Sequence, residues 1–408
     1  MLNVDEARER ILSNLKPLGT ENVALEAASG RVLGEEITAS EDLPSFDNSS
    51  VDGFAVNSSL LGQASPGQPV SLEVTLDIPA GSPLGLTLAP GNAARIMTGA
   101  PLPKGADSVV MLEDTDVADR QATTELPHLV RIFRPISTGQ NIRRKGADLT
   151  VGQSLLSRGH RITPADIGLL AQLGLAIIKV VVRPRVAIIS SGDELIPINE
   201  PSSPGKLRDT NSSMLAALAN SAGADVIQLG IARDSQSEVE HLLELAVRKH
   251  ADLIISSAGV SVGAFDFVRA TIQSHGALEF WRVNMRPGKP LAFGRYADIP
   301  FMGLPGNPVS AYVGFIVFAA PTIYRLGGNA EPPRRLVRVR TTERIDSDGR
   351  ESYLRAIVRE DQQGLTAMLV GHQGSGNIFG LSQANALLII PSGVKSVPPG
   401  EEVVAWLL

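Results

Sequence analysis

The sequence predicts an α/β protein with added β domains, and three observations carry that prediction. The chain has 408 residues, more than one ordinary hydrophobic core accommodates, so several domains are expected. Over residues 185–327, apolar runs of strand length alternate with helical stretches. That alternation is the pattern of a doubly wound, mostly parallel sheet covered on both faces. Residues 44–135 and 328–408 instead show short strand-like runs between Pro- and Gly-rich turns, the texture of small all-β modules.

The elements follow in order. Leu2, Ala7, Ile11, Leu12 and Leu15 recur at helical spacing and predict a helix over 2–16, ended by Pro17 and Gly19. Strands are predicted over 70–78, 94–97, 108–112 and 129–133. Residues 161–180 return to helical character, opened by Thr163-Pro164-Ala165-Asp166, a capping residue followed by proline in the first turn. The β module therefore reads as an insertion between two segments expected to pack together. Strands at 186–189, 226–229, 253–255, 278–285 and 301–304 then alternate with helices at 212–220, 237–249, 267–274 and 309–320. Strands at 336–340, 387–390 and 402–406 predict a closing β barrel or sandwich.

Composition excludes several function classes. The net charge of −6 implies no general attraction to nucleic acid or acidic membranes, so an anionic ligand needs a local basic cluster. With no cysteine there are no disulfides, thiolate metal sites or cysteine nucleophiles. The N-terminus lacks the apolar core of a signal peptide, and the longest apolar stretch, 311–324, reads as too brief for a bilayer. A cytoplasmic protein is expected.

The chemistry is expected beyond the carboxyl ends of the parallel strands. There the sequence places Ser190-Ser191-Gly192-Asp193-Glu194, Arg233-Asp234, Ser256-Ser257-Ala258-Gly259-Val260-Ser261 with Asp266, Arg286-Pro287-Gly288-Lys289-Pro290, and Gly303-Leu304-Pro305-Gly306-Asn307-Pro308. Any one of these is also plain turn chemistry; together they suggest backbone amides gathered for a phosphate-like group. Glu194, Asp234 and Asp266, on three loops, suit Mg²⁺ held against phosphates, or are solvated loop acids. Arg282, Asn284 and Arg286 share one face at strand period, next to Lys289, and suit an oxyanion, or are edge charges reaching for solvent. The six histidines have no metal-ligand spacing; His372 sits in a glycine-rich loop where a structuring role competes with a catalytic one.

These residues lie within motifs that occur in order along nearly the whole chain. They are LPSFDNSSVDGFAV (43–56), RIMTGAPLPKGADSVVMLED (95–114), NIRRKGAD (141–148), SSGDEL (190–195), SSAGVSVG (256–263), MRPGKPLAFG (285–294), GLPGNPVSA (303–311) and GHQGSG (371–376). The set resembles the molybdopterin molybdenumtransferase family, to which the gephyrin E domain belongs. The resemblance implies four domains: a helical arm (1–43 and 136–180), an inserted β domain (44–135), an α/β molybdopterin-binding domain (181–327) and a C-terminal β barrel (328–408). It implies a homodimer and a Mg²⁺-dependent reaction of adenylylated molybdopterin with molybdate, giving molybdenum cofactor and AMP. Contact with molybdopterin adenylyltransferase and with recipient molybdoenzymes is suggested as well; nucleic acid and membrane are not.

By the resemblance, Glu194, Asp234 and Asp266 look like the acidic set for Mg²⁺ and phosphate. Arg286, Arg355 and Ser375, with Arg282 and Lys289 nearby, look like the molybdate set. Asp52, Thr98 and Asp148 match functional polar positions, the first two understandable if a dimer partner supplies them. Ser191, Gly192, Ser257, Gly259, Ser261, Gly288, Pro305, Gly306 and Asn307 are expected around molybdopterin and its phosphates. Ala258 replaces a glycine common in the family, and Arg282 and Arg286 replace lysines, which leaves tungstate use open. Two rivals remain at this level: a molybdopterin adenylyltransferase and a non-catalytic, gephyrin-like scaffold.

Overall fold

A computed structural model describes residues 1–117, 125–258, 264–329, 334–362 and 364–408. The chain divides into two compact units.

The larger unit comprises 1–35, 158–171 and 175–408. Its centre is a six-stranded sheet built from β1 (Arg185–Ser191), β2 (Asp225–Ala232), β3 (Leu253–Ala258), β4 (Gly276–Arg282), β5 (Pro290–Tyr296) and β6 (Ile299–Leu304), in the order β2-β1-β3-β6-β5-β4. The first four in that order are parallel; β5 runs antiparallel to both β6 and β4. Side chains alternate across the sheet as strand geometry requires. Val186, Ile188, Leu253, Ile255 and Met302 join one core, while Ala187, Ile189, Ile254 and Phe301 join the other. The first core is closed by α1 (Thr210–Ser221), by the helical run from Pro308 to Leu326 and by the N-terminal helix Val4–Ser13; the second by α2 (Gln236–Arg248) and α3 (Ala264–His275). The N-terminal helix starts at Asn3, whose side chain and that of Glu6 each accept the other's backbone N–H, a complete capping box.

Register fixes where ligands can sit. Ser191 pairs with both Ala232 and Ala258, Ser257 with Leu304, Gly303 with Ala292, and Arg282 with Pro290. The carboxyl ends of all the parallel strands, the end of β4 and the start of β5 therefore share one edge. A closed barrel follows, from β7 (Arg335–Thr341), β8 (Glu351–Asp361), β9 (Gly364–Leu369), β10 (Ala386–Ile390) and β11 (Glu402–Leu407), with the β8–β10 pairing closing it.

The structure differs from the sequence reading in four places. The helix expected over 161–180 ends early. Thr163 and Asp166 cap it and it spans Pro164–Gln172, but Gly174, at φ +72°, stops it. The β-branched run Ile177–Val181 then pairs with Thr20–Ala24 as a strand. The strand expected over 278–285 is broken: β4 leaves the sheet at Arg282, and Met285–Arg286 pairs instead with Glu351 and Ser352 of the barrel. Arg282 and Arg286 thus do not share one strand face. Strand β5, opened by a proline and carrying Gly294, was not expected at all. Finally, the apolar stretch 311–324 lies within a longer helical run, Pro308–Leu326, whose 19 residues are long and apolar enough to cross a bilayer; 78% of its apolar 18-residue window is buried inside the protein.

The smaller unit comprises 36–157 and 172–174. Its sheet runs Ser108–Met111, Gly53–Val56, Asn92–Ile96, Val70–Ile78, Leu129–Ile132, close to the four strands expected from sequence plus one. Phe54, Val110 and Ile132 fill one side and Ala55, Ile78 and Ile96 the other. The Arg95 guanidinium, 2.5 Å from Asp77, holds that carboxyl below the usual carboxylate range.

Gly53 lies so close to the neighbouring strand that a Cβ would stand 1.9 Å from the Val110 carbonyl oxygen, whereas a Cβ on Gly67 would meet nothing within 4 Å. Overpacking at a rigid backbone contact costs about 3 kcal/mol or more. Gly53→Ala is expected to lower the denaturant midpoint of this unit markedly, and Gly67→Ala to leave it nearly unchanged, in equilibrium unfolding monitored by far-ultraviolet circular dichroism.

Candidate functional site

Two groups of predicted residues gather in the larger unit. The basic group lines a cavity of about 350 Å³. Arg286, Gly288 and Lys289 enter it from the connection between β4 and β5, Ser310 from the start of the helix after β6, Arg355 from β8 and Ser375 from the loop after β9. The Val309 N–H donates to the Ser375 carbonyl at 3.0 Å, tying the helix start to that loop. Gly288 stands at φ +100°, a conformation open to glycine. Arg282, at the end of β4, does not line the cavity.

Arg355 is the unusual member. It is 1% exposed, and its terminal nitrogens donate to the carbonyls of Asn377 (2.6 Å) and His372 (2.9 Å). Its backbone is bracketed by Gln373, which accepts from its N–H and donates to its carbonyl. Among the described residues its Nε has no partner and no carboxylate pairs with it, and burial pushes the guanidinium pKa down. The terminal nitrogens of Arg355, which the resemblance implied as a molybdate contact, are thus already engaged by carbonyls of the 371–377 loop. Arg355 organises that loop and leaves buried positive charge beside the cavity. His372 structures the same loop, its Nδ1 accepting from the Gly374 N–H at 3.3 Å.

Sequence reasoning missed Arg350. It lines the cavity, donates to the Met285 carbonyl at 3.2 Å, and is braced by Asp348, whose carboxyl it holds below the usual range. Nothing in the sequence marks it apart from any turn arginine.

The second group lies on the same sheet edge, at β1 and β2. Gly192 stands at φ +144°, and its missing Cβ leaves room for the Glu194 carboxylate, which would be 2.5 Å from it. Asp193 organises these loops: its carbonyl accepts from Lys206 Nζ at 2.6 Å and its carboxylate from the Asp234 N–H at 3.2 Å. Glu194 and Asp234 themselves form no ion pair among the described residues. Neither lines the basic cavity. Asp266 belongs to the first turn of α3, and its side chain lies outside those described, as do Gly259 and Ser261. Among the described residues no three His, Asp or Glu side chains converge as a metal site.

Between the two groups, Asn211 was also missed. It is 7% exposed and its Nδ2 donates to Ser257 Oγ (2.8 Å) and to the Gly306 carbonyl (2.7 Å), joining the end of β3 to the loop after β6. Ser190 Oγ meets Ser212 Oγ at 2.8 Å, and Ser191 Oγ is buried without a partner among the described residues. Pro305 and Gly306 lead to Asn307, whose carbonyl accepts from the Ala311 N–H as the helix begins. The signal for Asn211 was the sequence Asp209-Thr210-Asn211, with Asp209 as an N-cap accepting from Ser212 N.

The remaining predicted residues lie in the smaller unit. Thr98 donates to Asp52 Oδ1 through its backbone N–H (2.8 Å) and its hydroxyl (2.6 Å), and Asp148 pairs with Arg143.

Comparison with known proteins gives a consistent answer. Residues 2–174 match the family profile described as the MoeA N-terminal region (domain I and II), 187–325 a probable molybdopterin binding domain, and 338–408 the MoeA C-terminal region (domain IV). The chain is 39% identical to molybdopterin molybdenumtransferase 2 of Mycobacterium tuberculosis, over 100% of this chain and 99% of that one. It is 38% identical to the molybdopterin molybdenumtransferase of Bacillus subtilis, over 99% and 94%. A crystal structure of a molybdopterin biosynthesis MoeA protein from Pyrococcus horikoshii superposes with a TM-score of 0.81 at 30% identity, covering 100% of both chains. With full-length similarity of this degree and three consecutive matching regions, the chain belongs to the molybdopterin molybdenumtransferase family.

Proposed function

We propose that this protein is itself a molybdopterin molybdenumtransferase, converting adenylylated molybdopterin and molybdate into molybdenum cofactor with release of AMP. The observation that carries the reading is the cavity in which Arg286, Lys289, Arg350 and Arg355 meet Ser375. In a chain of net charge −6, these cations have a single carboxylate partner among the described residues, Asp348. Such a cluster suits a tetrahedral dianion. Arg286 and the Ser375 hydroxyl are read as the direct molybdate contacts, with Lys289 and Arg350 at the cavity wall. Arg355 contributes charge and holds the loop that presents Ser375. Holding molybdate next to the bound pterin replaces a bimolecular encounter with a local one. The dithiolene sulfurs belong to the substrate, so a protein without cysteine suffices.

The pterin and its phosphates are read as lying along the strand ends, against Ser191, Gly192, Ser257, Gly288, Pro305, Gly306 and Asn307. The uncommitted carboxylates of Glu194 and Asp234 are hard oxygen donors that fit Mg²⁺. With Asp266 they would hold that ion, which when bound neutralises charge on the phosphoanhydride. Asp52, Thr98 and Asp148 are kept as proposed site positions, and the protein is read as a cytoplasmic homodimer. The adenylyltransferase alternative is disfavoured because Arg350, Arg355 and Ser375 come from the barrel region, which an α/β domain alone lacks.

Purified protein given adenylylated molybdopterin and Mg²⁺ is expected to release AMP only when molybdate is added. AMP release indifferent to molybdate, or formation of adenylylated product from ATP and molybdopterin, overturns the reading. Removing one charged contact costs about 1.5–3 kcal/mol, so Arg286→Ala is expected to raise the molybdate concentration for half-maximal release roughly ten- to a hundredfold. Arg355→Lys is expected to lower both the melting temperature and AMP release, because one ammonium cannot serve both the His372 and Asn377 carbonyls in the geometry of a guanidinium fork.

A further inference from the structure

A second cavity, of about 250 Å³, lies in the larger unit and shares no lining residue with the basic cavity. It is lined by Ser29–Val32, by Arg161, by Val181–Pro184 just before β1, by the carboxyl end of α1 and by that of the helix Ala320–Leu326. Three arginines line it: Arg31, Arg161 and Arg183. Arg31 is 8% exposed and its Nη2 is committed, 2.5 Å from Glu21 and donating to the Val181 carbonyl at 2.8 Å. Arg183 approaches Asp225 only to 3.8 Å. Arg161 has neither an ion pair nor a side-chain hydrogen bond among the described residues. The Asn220, Tyr324 and Asn329 side chains, also in the lining, are likewise uncommitted there.

The helix ends cannot account for this concentration of donors. The carbonyls around them are already capped, by Gly223 N–H on Asn220 and by Gly327 N–H on Ile323. Each helix end carries only a partial negative charge. Glu21 offsets Arg31, Asp225 offsets Arg183 weakly, and Arg161 is offset by nothing described. Gly30 and Gly223 line the cavity at φ +75° and +92°, and a Cβ on either would meet no atom within 4 Å, so these walls are open. The result is a donor-rich, net positive cleft in an acidic protein. Guanidinium forks and carboxamides together match a tetrahedral oxyanion. The volume lies just below that of drug-sized sites, which suits a compact ligand and leaves room for a small organic group beside one such anion.

We infer that this cleft is a binding site for a small phosphomonoester, separate from the basic cavity at the sheet edge. Arg161 and Arg183 hold the phosphate, and Asn220, Tyr324 and Asn329 contact the rest of the molecule.

The test uses the full chain carrying Arg286→Ala, which weakens oxyanion binding at the other cavity and so separates the two sites by affinity. Inorganic phosphate and glycerol 3-phosphate are titrated by calorimetry. The expected result is saturable binding at one site per chain, tighter for the ester. Arg161→Glu is expected to weaken it at least tenfold, and Asn329→Ala to weaken the ester while sparing phosphate. If Arg161→Glu impairs folding by circular dichroism, the Asn329→Ala result decides. Absence of saturable binding in a folded Arg286→Ala chain, binding untouched by these substitutions, or an ester no tighter than phosphate overturns the inference. In the otherwise native chain, Arg161→Glu is expected to leave molybdate-dependent AMP release unchanged, so failure here is distinct from failure of the transferase reading.

Discussion

A buried guanidinium without a carboxylate partner among the described residues is the constraint on which the candidate site depends. Isolating a charge from water is expensive unless hydrogen bonds or an opposite charge compensate. Arg355 meets part of that cost through the His372 and Asn377 carbonyls, and in doing so fixes the loop that carries Ser375. The rest is left as positive potential beside a cavity that Arg286, Lys289 and Arg350 also line. An anion in that cavity completes the compensation. The same interaction that shapes the loop therefore creates the demand for a ligand.

Sheet register supplies the second half of the account. The strand ends with Gly192 and Asp234 and the connection with Arg286 share one edge, yet β1 and β4 are separated by three strands. Four interstrand spacings of about 4.8 Å put them on the order of 20 Å apart. One compact ligand does not bridge that distance; an elongated one, with a nucleotide at one end and a pterin at the other, can. Asn211, bonded to Ser257 and the Gly306 carbonyl, holds the intervening loops in line. The separation of acidic and basic groups is thus a property of strand order, and it matches a substrate with two chemically different ends.

The sequence made the sheet edge legible because glycine, serine and charge repeatedly follow apolar runs, and four of those runs are parallel strands, three of them buried. It also showed the Thr163 cap and the β module, where period and turn residues agree. It failed where local pattern and tertiary pairing disagree. Residues 177–181 continue an apolar run after a helix, and only the partner strand Thr20–Ala24 decides their state. Arg282, Asn284 and Arg286 have the spacing of one strand face, but the chain transfers from sheet to barrel between them. The partners of Arg355 are backbone carbonyls 17 and 22 residues away, which carry no side-chain signature. Arg350 was missed for the same reason, and for Asn211 the Asp209 cap marks the helix start but not the Ser257 and Gly306 partners that the fold brings to it.

The most direct test of the central claim is to locate the metal oxyanion. Crystals of the protein equilibrated with molybdate, measured for anomalous scattering at the molybdenum edge, should show a peak inside the cavity between Arg286 and Ser375, with Arg350 and Lys289 at its wall. The peak should vanish in Arg286→Ala crystals grown the same way. A strong peak elsewhere with this cavity empty, or one that persists unchanged in Arg286→Ala, would contradict the account.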